Sequence, residues 1–245
     1  MDNYSIDHLF KFWKYISSKG DFFSSEAAYN YSYQSNMAWP SKIFGIDEKR
    51  IDFEELKMKI KTGLLPNSIG IHKNEFTDNL LLIHNFKKTS SVKGMFLNLS
   101  EEQKPKDDLS TIQQVDTEQK AKEFANVAAK SFGYQILPKT IISLLNTESK
   151  IRLYLGRSKG SLASCGIIFL DNNNVSGIHM IGTIPEFRGL GLGKIMTSKL
   201  LLEAYKNKSK AVVLVASEAG ERIYSKMGFV VDGTLKSYSV IDHNV

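Results

Sequence analysis

The sequence predicts a mixed α/β fold, with helices flanking a sheet, and three observations carry that expectation. The stretch from Ile178 to Phe187 reads as a strand that stops at Pro185, because proline has no N–H to continue a ladder. A helical period follows: Leu192, Met196, Leu200 and Ala204 recur four apart, with Gly193, Thr197 and Leu201 beside them, giving one apolar face. Ala211 to Ala216 is then a short continuous apolar run, the pattern of a strand buried on both sides. Ser217 to Phe229 closes the series as a short helix, capped by the Ser217 hydroxyl and ended by Gly228.

The first half of the chain is less regular. Ile6 to Ser17 has an aromatic-rich helical pattern through Leu9, Phe10, Phe12, Trp13 and Ile16. Tyr29 to Trp39 alternates as a strand, Phe53 to Lys61 is helical, and Ser68 to His72 is a short strand. Leu80 to Phe86, followed by Gly94 to Leu99, reads as helix, turn and strand. The charged stretch from Ser100 to Asp108, with Pro105 inside it, reads as a linker. It divides the chain into residues 1–105 and 106–245.

Between the strand at Ile178 and the helix at Leu192 lies Arg188-Gly189-Leu190-Gly191-Leu192-Gly193-Lys194. Glycine lets a chain turn sharply and bring its amides close to a ligand with no Cβ in the way. The first helical turn beyond it leaves N–H groups unpaired and carries partial positive charge, so strand, loop and helix form a cradle for a pyrophosphate. Two common nucleotide signatures fail on spacing. A dinucleotide fingerprint needs G-x-G-x-x-G and an acid closing the next strand, whereas this chain has G-x-G-x-G and a strand ending at Ala216-Ser217. The phosphate loop G-x-x-x-x-G-K-[ST] is absent, because Ile195 follows Lys194.

The pattern R-x-x-G-x-G, helix, apolar strand and Tyr-x-x-x-Gly-Phe resembles the GNAT superfamily of acyl-CoA-dependent N-acetyltransferases. The resemblance covers roughly residues 110 to 245. It implies a mixed, mostly antiparallel sheet flanked by helices. Ser110–Val115 would be the first strand, Thr117–Phe132 and Leu137–Leu145 two helices, and Ile151–Gly156 with Leu162–Leu170 a hairpin. Val175–Thr183 would be the strand entering the loop. It further implies that acetyl-CoA is the cosubstrate. Its pyrophosphate would be held by the loop amides of Arg188, Gly189, Leu190, Gly191, Leu192, Gly193 and Lys194. Its pantetheine arm would pair with the backbone of Ile181 and Thr183. Tyr224 matches the tyrosine that protonates the departing thiolate; a packed aromatic is the other reading of this residue. The family often has Asn where this chain has Ser217, and Ala where it has Gly220. A hydroxyl at Ser217 replaces part of what the amide contacts.

By the same resemblance, a primary amine attacks the thioester in a ternary complex, so a base must remove its proton. Many members place Glu on the strand where this chain has His179. Side chains alternate along a strand, so His179, Ile181 and Thr183 are expected on one face, with His179 aimed at the amine. A histidine titrating near ~6.5 suits that role. A half-buried strand histidine bonded to a backbone group is the alternative. A non-catalytic acyl-CoA-binding regulatory module also stays open as a function, and retention of Tyr224 favours the enzyme.

Residues 1–99 contain no Gly-x-Gly yet are rich in aromatics. They are read either as a degenerate second GNAT-like copy or as an unrelated cap, with one acyl-CoA bound per chain in the C-terminal half. Trp39-Pro40 or Tyr29 to Tyr33 would wall the acceptor pocket. Net charge is +6, but Lys104 and Lys106 sit beside Glu101, Glu102, Asp107 and Asp108, so a solvated surface is expected rather than a nucleic-acid partner. No apolar run approaches the ~20 residues that span a bilayer, and Met1 to Asp7 lacks the order of a signal peptide. The one cysteine, Cys165, lies in an apolar strand, which points to a small core residue and a reducing cytoplasm. No residue cluster has metal-site spacing. The expected state is a monomer or homodimer.

Overall fold

The computed structural model describes residues 4–35, 37–100, 104–145, 150–171 and 173–241. Glu101, Glu102 and Gln103 of the charged linker, and Met1 to Asn3, lie outside the described residues. In chain order the elements are α1 (Tyr4–Lys19), β1 (Phe23–Ser25), β2 (Asn30–Ser32), β3 (Lys42–Phe44), α2 (Phe53–Lys61), β4 (Ile69–His72), α3 (Glu75–Ile83) and β5 (Phe86–Asn98). Then come β6 (Ile112–Gln114), α4 (Glu118–Phe132), α5 (Pro138–Ile142), β7 (Ile151–Ser158), β8 (Ser161–Leu170) and β9 (Val175–Thr183). The chain ends with α6 (Leu192–Lys206), β10 (Ala211–Ala216), α7 (Glu218–Lys226) and β11 (Val230–Val240). Among these residues the sheet has eleven strands in the order β1-β2-β3-β4-β11-β5-β10-β9-β8-β7-β6.

Helix ends follow local chemistry. Asp52 caps α2, its Oδ1 accepting from the amides of Glu54 at 2.9 Å and Glu55 at 3.0 Å. Asn74 caps α3 through the Phe76 amide at 3.0 Å, and Thr117 caps α4 through that of Lys120 at 3.3 Å. Gly133 ends α4 in the left-handed conformation.

Strand alternation sorts side chains into two layers. Cys165, Ile167 and Phe169 of β8 pack with α1, α4 and α5, while Ile168 and Leu170 face the opposite layer with Met196, Leu200 and Ala204 of α6. The predicted apolar stripe of α6 is thus its buried face. A third cluster joins α2 and α3 to the far end of the sheet through Leu56, Ile60, Leu81, Ile43, Ile69 and Tyr238.

The first half departs from expectation in places. Only Asn30–Ser32 of the stretch from Tyr29 to Trp39 is strand, because the chain turns after it, with the Met37 amide donating to Gln34 O at 3.1 Å. The helix expected from Leu80 starts at Glu75 and ends at Ile83, and α5 is shorter than Leu137–Leu145. The strand expected at Gly94 begins instead at Phe86, since β5 is polar and exposed over Lys87 to Ser91 and has no apolar period there.

Strand β5 lies between β11 and β10 and pairs antiparallel with both, from Phe86↔Val240 to Val230↔Phe96 on one edge and Lys93↔Ala216 to Asn98↔Ala211 on the other. Strand β4 pairs with the other edge of β11. The two halves of the sequence therefore interleave in one sheet. No helix among the described residues is long and apolar enough to cross a membrane.

This interleaving predicts that a fragment comprising residues 106–245 does not fold alone. It would strip β11 of both neighbours and β10 of one, opening backbone donors that cost roughly 1–3 kcal/mol each when left unpaired and buried. Circular dichroism and urea melts should show no cooperative transition. A two-state melt of that fragment would contradict the prediction.

Candidate active site

The site begins where a ladder stops. Strands β9 and β10 pair in parallel from Val175↔Ala211 to Ile178↔Leu214, and no further. Beyond Ile178, β9 bulges: the β8 residues Cys165 and Ile167 face Gly182 and His179, so two residues of β9 oppose the single Gly166. Met180 holds the bulge with φ +53°. The two strands splay apart, and an opening of about 280 Å³ lies between them.

The Ile184 amide donates to Ala163 O of the adjoining β8 segment at 2.9 Å. By the alternation of an antiparallel strand, Ile181 and Thr183 turn their backbone groups to the other edge, toward the opening. That edge is the one expected to pair with an extended arm. Arg188 Nε takes the Thr183 carbonyl at 3.3 Å, so the Thr183 amide is the group left for pairing.

The loop then turns into α6. Gly189 and Gly191 have φ +81° and +75°, conformations that a side chain strains, and Gly191 is the N-cap with no side chain to satisfy the first-turn amides. Gly193 has no such backbone requirement, and a Cβ there would meet nothing within 4 Å. Packing within the protein does not require a glycine at 193. A groove of about 650 Å³ runs from this loop to α7, past Thr183, Arg188, Lys194, Ile223 and Lys226. Its free amides and cationic rim fit a pyrophosphate.

Arg188 enters differently from expectation. Its amide is taken by Pro185 O at 3.1 Å, and its guanidinium bridges Thr183 O and, at 2.9 Å, Ser131 O of α4. It clamps the loop, and the free amides start at Gly189. Leu190 is the exposed tip, whereas the Leu192 side chain is buried. Lys194 Nζ pairs with Asp107 at 3.1 Å, and Ser198 Oγ donates to the same carboxylate at 2.8 Å, tying the linker to α6.

Tyr224 reaches the opening from α7, with its ring edge-on to Phe229 at 5.9 Å. A Cβ on Gly220 would stand 3.0 Å from Tyr224 Cε2, so glycine there makes room for the ring. Burial pushes the phenol up to about 12, opposed by a hydrogen bond with Thr197, so the hydroxyl keeps its proton at neutral pH. Ser217 lines the same opening and caps α7, accepting from the Gly220 amide at 3.3 Å.

The expected shared face of His179, Ile181 and Thr183 is corrected by the bulge. The extra residue at Met180 reverses the alternation, so Ile181 packs toward the α6 layer while His179 faces α1. Its imidazole stacks on Phe12 at 3.9 Å and 8°, and on His8 at 6.0 Å. It still lines the opening, from the α1 side. Gly177 lies beneath the pair, and a Cβ there would collide with both imidazoles. His179 Nε2 and both ring nitrogens of His8 have no hydrogen-bond partner among the described residues. Burial, then the neighbouring His8, hold His179 well below its ordinary range. Burial lowers His8 to about 4, against the pull of Asp171, whose carboxylate lies 3.8 Å away.

The other wall was only partly foreseen. Trp39 lines the opening as expected, but Tyr29 packs instead in the far cluster with Ile43 and Phe53. Leu9, Phe12 and Trp13 of α1 and Phe132 of α4 complete it. Their helical spacing reads as core, and nothing in it marks a pocket.

Two buried neutral imidazoles give a signed pH dependence. Their folded pKa values lie below the unfolded value near 6.5, so the unfolded chain binds more protons and stability is lost as pH falls from about 6.5 toward 4. Tm should be level above pH ~7 and already decline by pH ~5, above the ordinary carboxylate range. His8→Leu should blunt that decline; a Tm independent of pH over this window would contradict the assignment.

A sequence profile of the acetyltransferase (GNAT) domain matches residues 114–243. Comparison with curated protein sequences gives no match. Among solved structures, the chain is similar to a GCN5-related N-acetyltransferase from Kribbella flavida, at 13% identity and TM-score 0.65 over 95% of each chain. A GCN5-related N-acetyltransferase from Sphaerobacter thermophilus gives 15% identity and TM-score 0.60, covering 89% of this chain and 79% of the other. A tandem GNAT protein from the clavulanic acid biosynthesis pathway gives 9% and 0.57, covering 86% and 78%. At these identities the structures establish the fold, and the profile spans more than half of the sequence. The chain belongs to the GNAT acetyltransferase family, whose members are acyltransferases that use acyl-CoA.

Proposed function

We propose that the chain is an N-acetyltransferase that moves acetyl from acetyl-CoA to a primary amine, with one donor site per chain. One observation carries the reading: Ile181 on the free edge of β9 and Tyr224 line one opening, and Thr183 at the end of the same edge lines the groove that runs along the α6 amide cradle. Bound acetyl-CoA would supply an activated acyl group as its thioester. The amides from Gly189 to Lys194 would hold its pyrophosphate, and Ile181 and Thr183 its pantetheine arm. The neutral Tyr224 hydroxyl would give its proton to the departing thiolate. His179, neutral through burial, would take the proton released by the amine. A non-catalytic acyl-CoA-binding module would not need a protonated phenol at the thioester end. In functional terms residues 106–245 carry the donor site, and residues 1–105 complete the acceptor wall through α1 and Trp39. The lone buried Cys165 fits a reducing cytoplasm.

Gly191→Val forces a β-branched side chain into φ +75° and into the approach path of the ligand. Calorimetry should show acetyl-CoA affinity lost in a variant that remains folded; unchanged affinity would overturn the cradle.

Tyr224→Phe keeps the ring and removes the proton, so kcat should fall by roughly 10²-fold or more with little change in KM for acetyl-CoA. His179→Ala should flatten the acidic limb of kcat/KM, and that limb should lie below pH 6.5 because the His179 shift is downward. An unaltered pH profile would remove His179 from the chemistry.

A further inference from the structure

We infer that the acceptor amine carries a small, uncharged, aromatic or apolar body, and that charged amines such as polyamines, aminoglycosides and amino acids are excluded. This deepens the acetyltransferase reading and rests on it for the position of the thioester. The opening between β9 and β10 continues from Tyr224 and Ser217 toward α1, and on that side Phe12, Trp13, Trp39 and Phe132 wall it. Among the described residues, no Asp, Glu, Lys or Arg lines it. Its polar side chains are His179, Ser217 and Tyr224. The proposed chemistry uses His179 and Tyr224, and Ser217 is engaged as a helix cap.

Charge sets the exclusion. A second ammonium or a carboxylate on the acceptor would leave water with no counter-ion to meet it, and an unpaired charge in an apolar site is strongly disfavoured. Asp171, the acid beside His8, lies 3.8 Å from His8 and 3.9 Å from Lys11 and does not line the opening. The amine that reacts has to be neutral when it attacks, so it needs no counter-ion. Size sets the other limit. About 280 Å³ falls just below the usual range for a ligand pocket, roughly 300–1,000 Å³, and on the proposed function the acetyl end of the donor would share it. The walls are also preset: the Phe12 ring is stacked on His179 at 3.9 Å and lies 6.4 Å from Trp39, so this side of the opening is built of packed aromatic rings.

The chain's two tryptophans, Trp13 and Trp39, both line this wall, so their emission reports its occupancy without any turnover. With coenzyme A present, phenethylamine should give a saturable change in tryptophan emission, while spermidine, kanamycin and glutamate should give none. In thiol-release assays with acetyl-CoA, kcat/KM for phenethylamine should exceed that for spermidine by about 10²-fold or more. Trp39→Phe, which keeps an aromatic wall, should retain that preference and lose part of the signal. Saturable binding of phenethylamine without thiol release would support the acceptor assignment and sink the acetyltransferase reading. Preferred turnover of a charged amine would do the reverse. Absence of a saturable signal with phenethylamine, or a signal given instead by octanoyl-CoA and not by the amine, would overturn the inference.

Discussion

The open edge of β9 and the opening beside it depend on one ladder that ends early. Beyond the pair Ile178↔Leu214, β9 and β10 remain in the same sheet but no longer bond to each other. Each is fixed on its other side, β9 by β8 and β10 by β5. The strands therefore cannot close the gap by drifting together, and the backbone edge of β9 stays open for an extended ligand. Burying that edge with no partner would be costly, so the splay is stable only because solvent or a ligand reaches it. The bulge at Met180 sets the angle, and the loop after Thr183 delivers the first turn of α6 to the same mouth.

Fixing β10 from behind is the work of the N-terminal half. Strand β5 bridges β10 and β11, and α1 packs across β5, β9, β10 and β11 on one face. Met95 and Leu97 of β5 belong to the same buried cluster as Leu200 and Val212, so α6 and the strand that holds β10 in place share one core. A chain divided by a charged linker in sequence is thus undivided in its packing. Even the linker is tied down, through Asp107 to Lys194 and Ser198.

The α6 side of the splay was legible because its requirements are local. Alternating glycines, a four-residue apolar period and a serine before a short helix each state their structure in neighbouring residues, and the loop, α6 and α7 stand where they were expected. The acceptor side was not, and the reasons are physical. Met180 carries no sign that it will adopt φ +53°, because the bulge is imposed by the pairing of β8 and β9 rather than by the residue itself. A single uncounted residue reverses the alternation and moves His179 to the opposite layer. Strand β5 escaped because Lys87 to Ser91 are exposed and so lack an apolar period, while their backbone is bonded to β11. The aromatic stripe of α1 was legible as buried, but a core and a pocket wall have the same spacing. Only the splay, a long-range feature, turns part of that stripe into a cavity surface.

The two mouths of the splay differ in electrostatics. Toward α6, Lys194 and Lys226 rim the groove beside unpaired amides, and the +6 net charge adds a weak attraction for an anionic ligand that salt would screen over about 10 Å. Toward α1, the titratable groups are kept neutral: Tyr224 by a raised pKa, His179 by a lowered one, both because burial disfavours the charged form. A neutral phenol can give a proton and a neutral imidazole can take one, so on the proposed function one physical cause would prepare both ends of a proton transfer. The lining that buries these groups carries no Asp, Glu, Lys or Arg among the described residues, so an added charge would find no counter-ion there. On the proposed function, proton chemistry and discrimination against charged amines share one cause, the burial of the groups that line the α1 side of the opening.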